Sequence, residues 1–236
     1  MVTIYTITYN EELMIEFFIN HYRKKFPGCE IVVFDNYSTD KTVEIAKKNN
    51  CKIEYFDSNN QISEGKYLEI KNNCWKNSNT DWVLVCDCDE LVSIDENMLK
   101  NEIRSNSTII NFEGYDMINL NNNDIIDLYS IKSGVRTEYY DKNVLFNKKK
   151  INEINYSPGC HKCAPSGKIV YSKERYKLFH FKYLSEKYLI DRYKLFNSRL
   201  SEENKKFKWG VHYNKQENEI KKLFNDLKNK CEIIYK

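Results

Sequence analysis

Trp82-Val83-Leu84-Val85-Cys86-Asp87-Cys88-Asp89-Glu90 is an apolar run that ends abruptly in carboxylates. Its apolar part has no polar alternation, which suits a strand covered on both faces, and such strands belong to parallel sheets flanked by helices. The upstream sequence supplies that setting. Residues 2–8 form a run rich in β-branched and aromatic side chains, and residues 14–25 place Ile15, Phe18, Ile19 and Tyr22 at helical spacing. Residues 30–35 read as a second strand, after which Ser38, Thr39 and Asp40 offer N-caps for a helix over 41–49. A third strand over 52–57 and a helix over 63–76 then lead to the strand 82–86. This alternation predicts an α/β fold with a mostly parallel sheet. Ligands in such sheets bind beyond the carboxyl ends of the strands, where Thr8, Asp35, Asp57 and Asp87 converge.

The 236 residues are enough to bury a substantial core, and 41% apolar with 30% charged residues is an ordinary folded composition. A formal net charge of +3, with basic and acidic residues interspersed, argues against a nucleic-acid partner. No run approaches the roughly 20 apolar residues of a membrane span, and Met1 leads straight into a strand-like segment. A cytoplasmic location is therefore expected, with the eight cysteines reduced. Cys86-x-Cys88 and Cys160-x-x-Cys163 together resemble zinc ligands in number only, because the first pair alternates across a strand; we read all four as packing cysteines.

After Asn106 the pattern loosens. Residues 108–112, 115–120 and 144–146 read as strands, separated by polar loops such as 121–124. The stretch 156–168 concentrates proline and glycine and reads as a shaped loop, and from Ser185 onward two helices separated near 209–214 are expected.

Asp87 and Asp89, on an exposed turn at the end of a buried strand, suit Mg²⁺ or Mn²⁺ bound through oxygen, with positions left for diphosphate oxygens and water. A lone acidic turn is also what a helix cap requires. Two upstream turns supply context: Thr8-Tyr9-Asn10-Glu11-Glu12 after the first strand and Asp35-Asn36-Tyr37-Ser38-Thr39-Asp40 after the second. In order and spacing these three motifs resemble the Rossmann-like GT-A glycosyltransferases, especially family 2-like enzymes, over about the first 90 residues.

The resemblance implies transfer of a sugar from a UDP- or dTDP-sugar to an acceptor hydroxyl of a glycan, lipid-linked or protein acceptor, with inversion. It implies that Thr8, Tyr9 and Asn10 line the nucleotide pocket, that Asp35 accepts a hydrogen bond from the base, that Lys66 lies near the base or diphosphate, and that Asp87 faces the ribose or diphosphate. It further implies Asp89 as the main Mn²⁺ or Mg²⁺ ligand, joined by His180 from Leu178-Phe179-His180-Phe181-Lys182-Tyr183. A lone histidine between aromatics is otherwise a core residue. An acid expected in the acceptor loop is not evident; His161 and Asp116 are the candidates for catalysis, with Glu113 and Glu153 as further carboxylates. Tyr183, Tyr188, Tyr193 and Phe196 fit helical core packing or sugar stacking.

The implied organisation is a GT-A domain over 1–184, with a nucleotide-sugar half (1–106) and an acceptor half (107–184), and a helical extension over 185–236 packed on it. Two rival readings stay open: a catalytically silent nucleotide- or sugar-binding module of this fold, and a sugar nucleotidyltransferase. The second would need a glycine-rich turn after the first strand, which Thr8-Tyr9-Asn10-Glu11 lacks.

Overall fold

A computed structural model describes residues 1–121 and 126–234. The predicted polar loop 121–124 thus lies, apart from Asn121, outside the described residues.

The first half alternates strand and helix: β1 (Val2–Thr8), α1 (Ile15–Lys25), β2 (Glu30–Asp35), α2 (Thr42–Lys48), β3 (Lys52–Tyr55), α3 (Glu64–Asn73) and β4 (Trp82–Val85). These strands run parallel in the order β4, β1, β2, β3. On β4, Trp82 and Leu84 enter the core beneath α1 with Phe18 and Tyr22, whereas Val83 and Val85 enter a second core with Trp75 and Phe146. The unbroken apolar run therefore serves two interiors at once, as its lack of alternation requires. Capping follows the sequence: Asp40 accepts from the Thr42 backbone N–H at the start of α2, and Ser63 accepts from Lys66 N–H at the start of α3. β3 stops at Tyr55, short of the expected residue 57, because the Asp57 carboxylate accepts from Asn59 N–H and turns the chain.

The second half is mainly antiparallel. After β5 (Glu90–Val92) and α4 (Glu96–Arg104) come β6 (Ile109–Ile118), β7 (Ser133–Arg136), β8 (Leu145–Asn147), β9 (Ile151–Glu153), β10 (Ser166–Gly167) and β11 (Tyr171–Tyr183). β8 joins β4 antiparallel, while β11 runs parallel to β6 and antiparallel to β5. The two strands expected over 108–112 and 115–120 are one continuous β6. Gly114, which reads as punctuation between them, instead creates room: a Cβ there would stand 2.3 Å from the Cβ of Tyr140. Its absence lets the 3-10 turn Glu138–Tyr140 lie directly on the strand.

The C-terminal part comprises α5 (Glu186–Ser198), α6 (Glu202–Lys206) and α7 (Glu217–Lys228), one short helix more than expected, and then β12 (Glu232–Ile233). Leu189, Tyr193, Ile220 and Phe224 form a third core with Ile118 and Tyr183. β12 pairs with β7, so the extension is not purely helical.

Gly114→Ala should destabilise the fold by about 1–3 kcal/mol through overpacking. A fall in the urea midpoint with unchanged slope would show this, and an unchanged midpoint would mean that Tyr140 can move aside.

Candidate functional site

β1 lies between β4 and β2, so the turns following β1 and β4 open side by side at the point where strand order reverses. There a cavity of about 620 Å³ is walled by Thr8, Tyr9, Asp87, Asp89, Asp116, His161 and His180, among others.

Asp87 points into it between two lysines. Lys71 from α3 and Lys142 from the loop before β8 both donate to its carboxylate, the second at 3.3 Å, and Lys142 also donates to Glu90. Lys142 and Glu90 are almost completely buried, while the Asp87 side chain keeps 37% exposure. Burial alone would push the Asp87 carboxyl up, but the two ammonium groups outweigh it and hold it well below the usual carboxylate range. Asp87 is thus a fixed anion whose charge is already matched, suited to accepting hydrogen bonds from hydroxyls.

Asp89 meets a different partner. Its Oδ2 stands 3.4 Å from Nε2 of His180, whose Nδ1 lies 2.7 Å from Oδ1 of Asp116. Leu178, Phe179 and His180 of β11 pair with Val92, Leu91 and Glu90 of β5, which delivers the histidine to the strand end carrying the acids. Burial would lower the imidazole, yet Asp89 and Asp116 raise it to about 9. Tyr140 stacks on its ring at 3.9 Å. The donor set fits Mn²⁺ or Mg²⁺: a carboxylate oxygen and an imidazole nitrogen converge from separate elements, and Asp116 orients the far nitrogen. Among the described residues no group of three or more His, Cys, Asp or Glu is placed to hold a metal ion, so an ion held by Asp89 and His180 would take its further ligands from diphosphate and water. All eight cysteines are free thiols.

The other expected residues divide. Thr8 and Tyr9 line the cavity, with the Arg199 guanidinium 3.1 Å above the Tyr9 ring. Asp35 is fully buried behind that wall, where it accepts from Thr8 Oγ1, Ser38 Oγ and Ser38 N–H. Its local geometry is that of a turn-closing residue, because its protein donors occupy both oxygens. Asn10 likewise stitches the two turns, accepting from Thr39 N–H, and lies off the cavity wall. Lys66 is exposed and also off the wall; the lysine of α3 that reaches the cavity is Lys71. His161 donates Nδ1–H to the Tyr139 carbonyl at 2.8 Å, which leaves Nε2 as an acceptor. Burial, then the nearby Lys142 charge, lower it to about 3. Glu113 and Glu153 lie outside the cavity, and Glu153 pairs with Lys76.

Sequence reasoning passed over Lys71, Lys142, Arg192 and Arg199, all on the wall. Arg192 of α5 donates to both the carboxylate of Glu11 and the carbonyl of Asn10. A signal existed for these arginines: Arg192, Phe196 and Arg199 recur at helical spacing, and Tyr188 begins the same face. Nothing in Tyr140-Asp141-Lys142-Asn143 distinguishes Lys142 from a solvated loop lysine.

Residues 3–161 match the glycosyl transferase family 2 model, which is most of the chain. The chain belongs to this family. Among solved structures it is similar to Staphylococcus aureus TarS 1-349 (19% identity, TM-score 0.48, 82% of this chain and 62% of that one) and to the same protein in complex with UDP (17%, 0.49, 84% and 64%). A mannosyltransferase, PcManGT from Pyrobaculum calidifontis in complex with GDP-Man and Mn²⁺, matches over 47% of this chain and 34% of its own, at 18% identity and TM-score 0.35. The chain thus spans less than two-thirds of the TarS structures it matches. No curated protein matches it. No helix among the described residues is long and apolar enough to cross a membrane.

Lys142→Met should cost about 3–5 kcal/mol, because it strands the buried Glu90 carboxylate beside Asp87. Adding Glu90→Gln should recover part of that loss in urea melts. A double variant that loses as much as Lys142→Met and Glu90→Gln added together would show that the two side chains are uncoupled.

Proposed function

We propose that this family 2 chain is a metal-dependent, inverting glycosyltransferase that uses a UDP- or dTDP-sugar and an acceptor hydroxyl. The observation that carries the reading is the convergence of Asp89 and His180, 91 positions apart in sequence, at 3.4 Å on the wall of the switch-point cavity. Mn²⁺ or Mg²⁺ bound there would neutralise the charge that develops on the departing diphosphate.

The protein residues then take distinct parts. Thr8, Tyr9 and Arg199 bound the nucleotide end of the cavity, with Asp35 and Asn10 shaping the turn behind it. Asp87 accepts from ribose or sugar hydroxyls, its negative charge offset by Lys71 and Lys142. As the acceptor oxygen bonds to the anomeric carbon and the bond to diphosphate breaks, the acceptor proton needs a base. Glu11 is held by Arg192 and Glu64 by the Gly159 N–H, while Asp89 serves the metal. That leaves Asp116, whose side chain bonds His180. His161, lowered to about 3, is a weak base and a better hydrogen-bond acceptor for a substrate hydroxyl.

Asp116→Asn should reduce transfer by about 10²–10⁴-fold while nucleotide binding persists, and His161→Ala should act mainly on KM. The reverse pattern would move the base to His161.

The metal reading has its own test, calorimetric titration of Mn²⁺ in the presence of UDP. Asp89→Asn and His180→Ala should each weaken Mn²⁺ and nucleotide binding together, and the double variant should lose less than the sum because both act on one ion. Full additivity, or native Mn²⁺ affinity in His180→Ala, would return His180 to a packing role. A thermal-shift panel of UDP-, dTDP- and GDP-sugars tests the donor; stabilisation by GDP-sugars alone would overturn the uridine or thymidine assignment.

A further inference from the structure

Around the C-terminal end of β11 the cavity wall carries Lys182, Tyr183, Tyr193, His212 and Tyr213, which together make up one lobe of it. Lys182 lies two residues past His180, about 7 Å along an extended strand. Its ammonium sits 5.8 Å from the Tyr183 ring centroid and 5.3 Å from that of Tyr193. His212 packs against Tyr213 at 4.0 Å and Tyr193 at 6.1 Å, so these side chains form one contiguous surface.

The lobe differs from the acidic part of the cavity in its charge pairing. Around the acidic turn the charges are matched: Asp87 with Lys71 and Lys142, Asp89 and Asp116 with His180, Glu11 with Arg192, whereas Lys182, like Arg199 over Tyr9, rests on a tyrosine ring. Among the described residues no carboxylate lies within ion-pair distance of Lys182, which rests on π-faces instead. Partial burial, then the charges of Lys182 and Lys215, hold His212 below its ordinary value, at about 4. A neutral histidine can still donate one hydrogen bond, so the lobe offers one cation, one imidazole N–H and tyrosine faces. A half-buried ammonium without a counter-ion, beside a reaction centre, is an anion site whose ligand comes from outside.

We infer that this lobe is the acceptor subsite and that it selects a saccharide or polyol acceptor carrying an anionic group, a carboxylate or a phosphate. The inference rests on the glycosyltransferase reading. The anion pairs with Lys182, the carbon face of the acceptor lies on Tyr183 and Tyr193, and the accepting hydroxyl reaches back toward Asp116, the partner of His180. A neutral glycan would leave the ammonium unpaired and would bind less well.

The test is direct binding to the UDP- and Mn²⁺-loaded protein by calorimetry, with three probes of similar size: a neutral maltotriose, a trigalacturonate and a glycerol phosphate oligomer. At least one anionic probe should bind about tenfold or more tightly than the neutral one; which one separates the carboxylate source from the phosphate source. Lys182→Met should abolish that preference and Lys182→Arg should restore it, while UDP-induced thermal stabilisation stays native in both. Lys215→Met, which removes a nearby exposed lysine that is not on the cavity wall, should leave the preference intact and carries little risk to the fold.

Equal affinity for all three probes, no binding of any, or a preference that survives Lys182→Met would overturn the inference. A protein that gains no stability from any nucleotide sugar would instead overturn the parent reading. The two failures are therefore distinguishable.

Discussion

The site depends on charge compensation inside the protein. Behind the acidic turn, Lys142 lies between Glu90 and Asp87, and Lys71 closes on Asp87 from the other side. Two carboxylates so close to each other and to Asp89 would not stay ionised in a buried setting unaided. Two buried ammonium groups solve this locally. They divide the motif into two chemistries: Asp87 becomes an already neutralised hydrogen-bond acceptor, and Asp89 is left with only an imidazole for company. Of the two acids, Asp89 therefore carries the lighter compensation, one imidazole against two ammonium groups. The spacing of the acids along one turn makes this division possible, and residues from α3 and the loop before β8 bring it about.

The second constraint is closure between the ends of the chain. Arg192 binds Glu11 and the Asn10 carbonyl, Arg199 covers Tyr9, and Ser201 N–H donates to the Ile62 carbonyl at 3.1 Å. The cavity wall at Thr8 and Tyr9 is therefore formed partly with α5, although those turns belong to the first 40 residues. The helical extension contributes charged side chains as well as packing.

The parallel half was legible because each strand and helix there is specified locally, by apolar periodicity and by caps such as Asp40 and Ser63. Motif order pointed to Asp89, Thr8 and Tyr9, and the fold sets them with His180 on the wall of one cavity. What escaped has physical causes. Lys71 and Lys142 are buried by tertiary contacts alone, and a lysine's sequence neighbours carry no record of a carboxylate 16 or 55 positions away. Asp35 and Lys66 were assigned from motif position, yet one closes its own turn and the other lies on the outer side of α3. The continuous β6 was hidden by Gly114, whose reason for being glycine is Tyr140, 26 residues later. Helix periodicity past Ser185 gave no hint that the chain would return to the sheet as β12.

That return alters how the cavity can breathe. The stretch after β11 is fastened at its near end by Arg192 and Arg199 and at its far end by the β12 pairing with β7. It behaves as a strap buckled twice, unable to swing out as a single flap. Between the buckles it is pinned once more, by Asn204 of α6, which accepts from Glu64 N–H at 2.9 Å, so a bulky molecule entering from that side must displace several fastenings rather than turn one hinge.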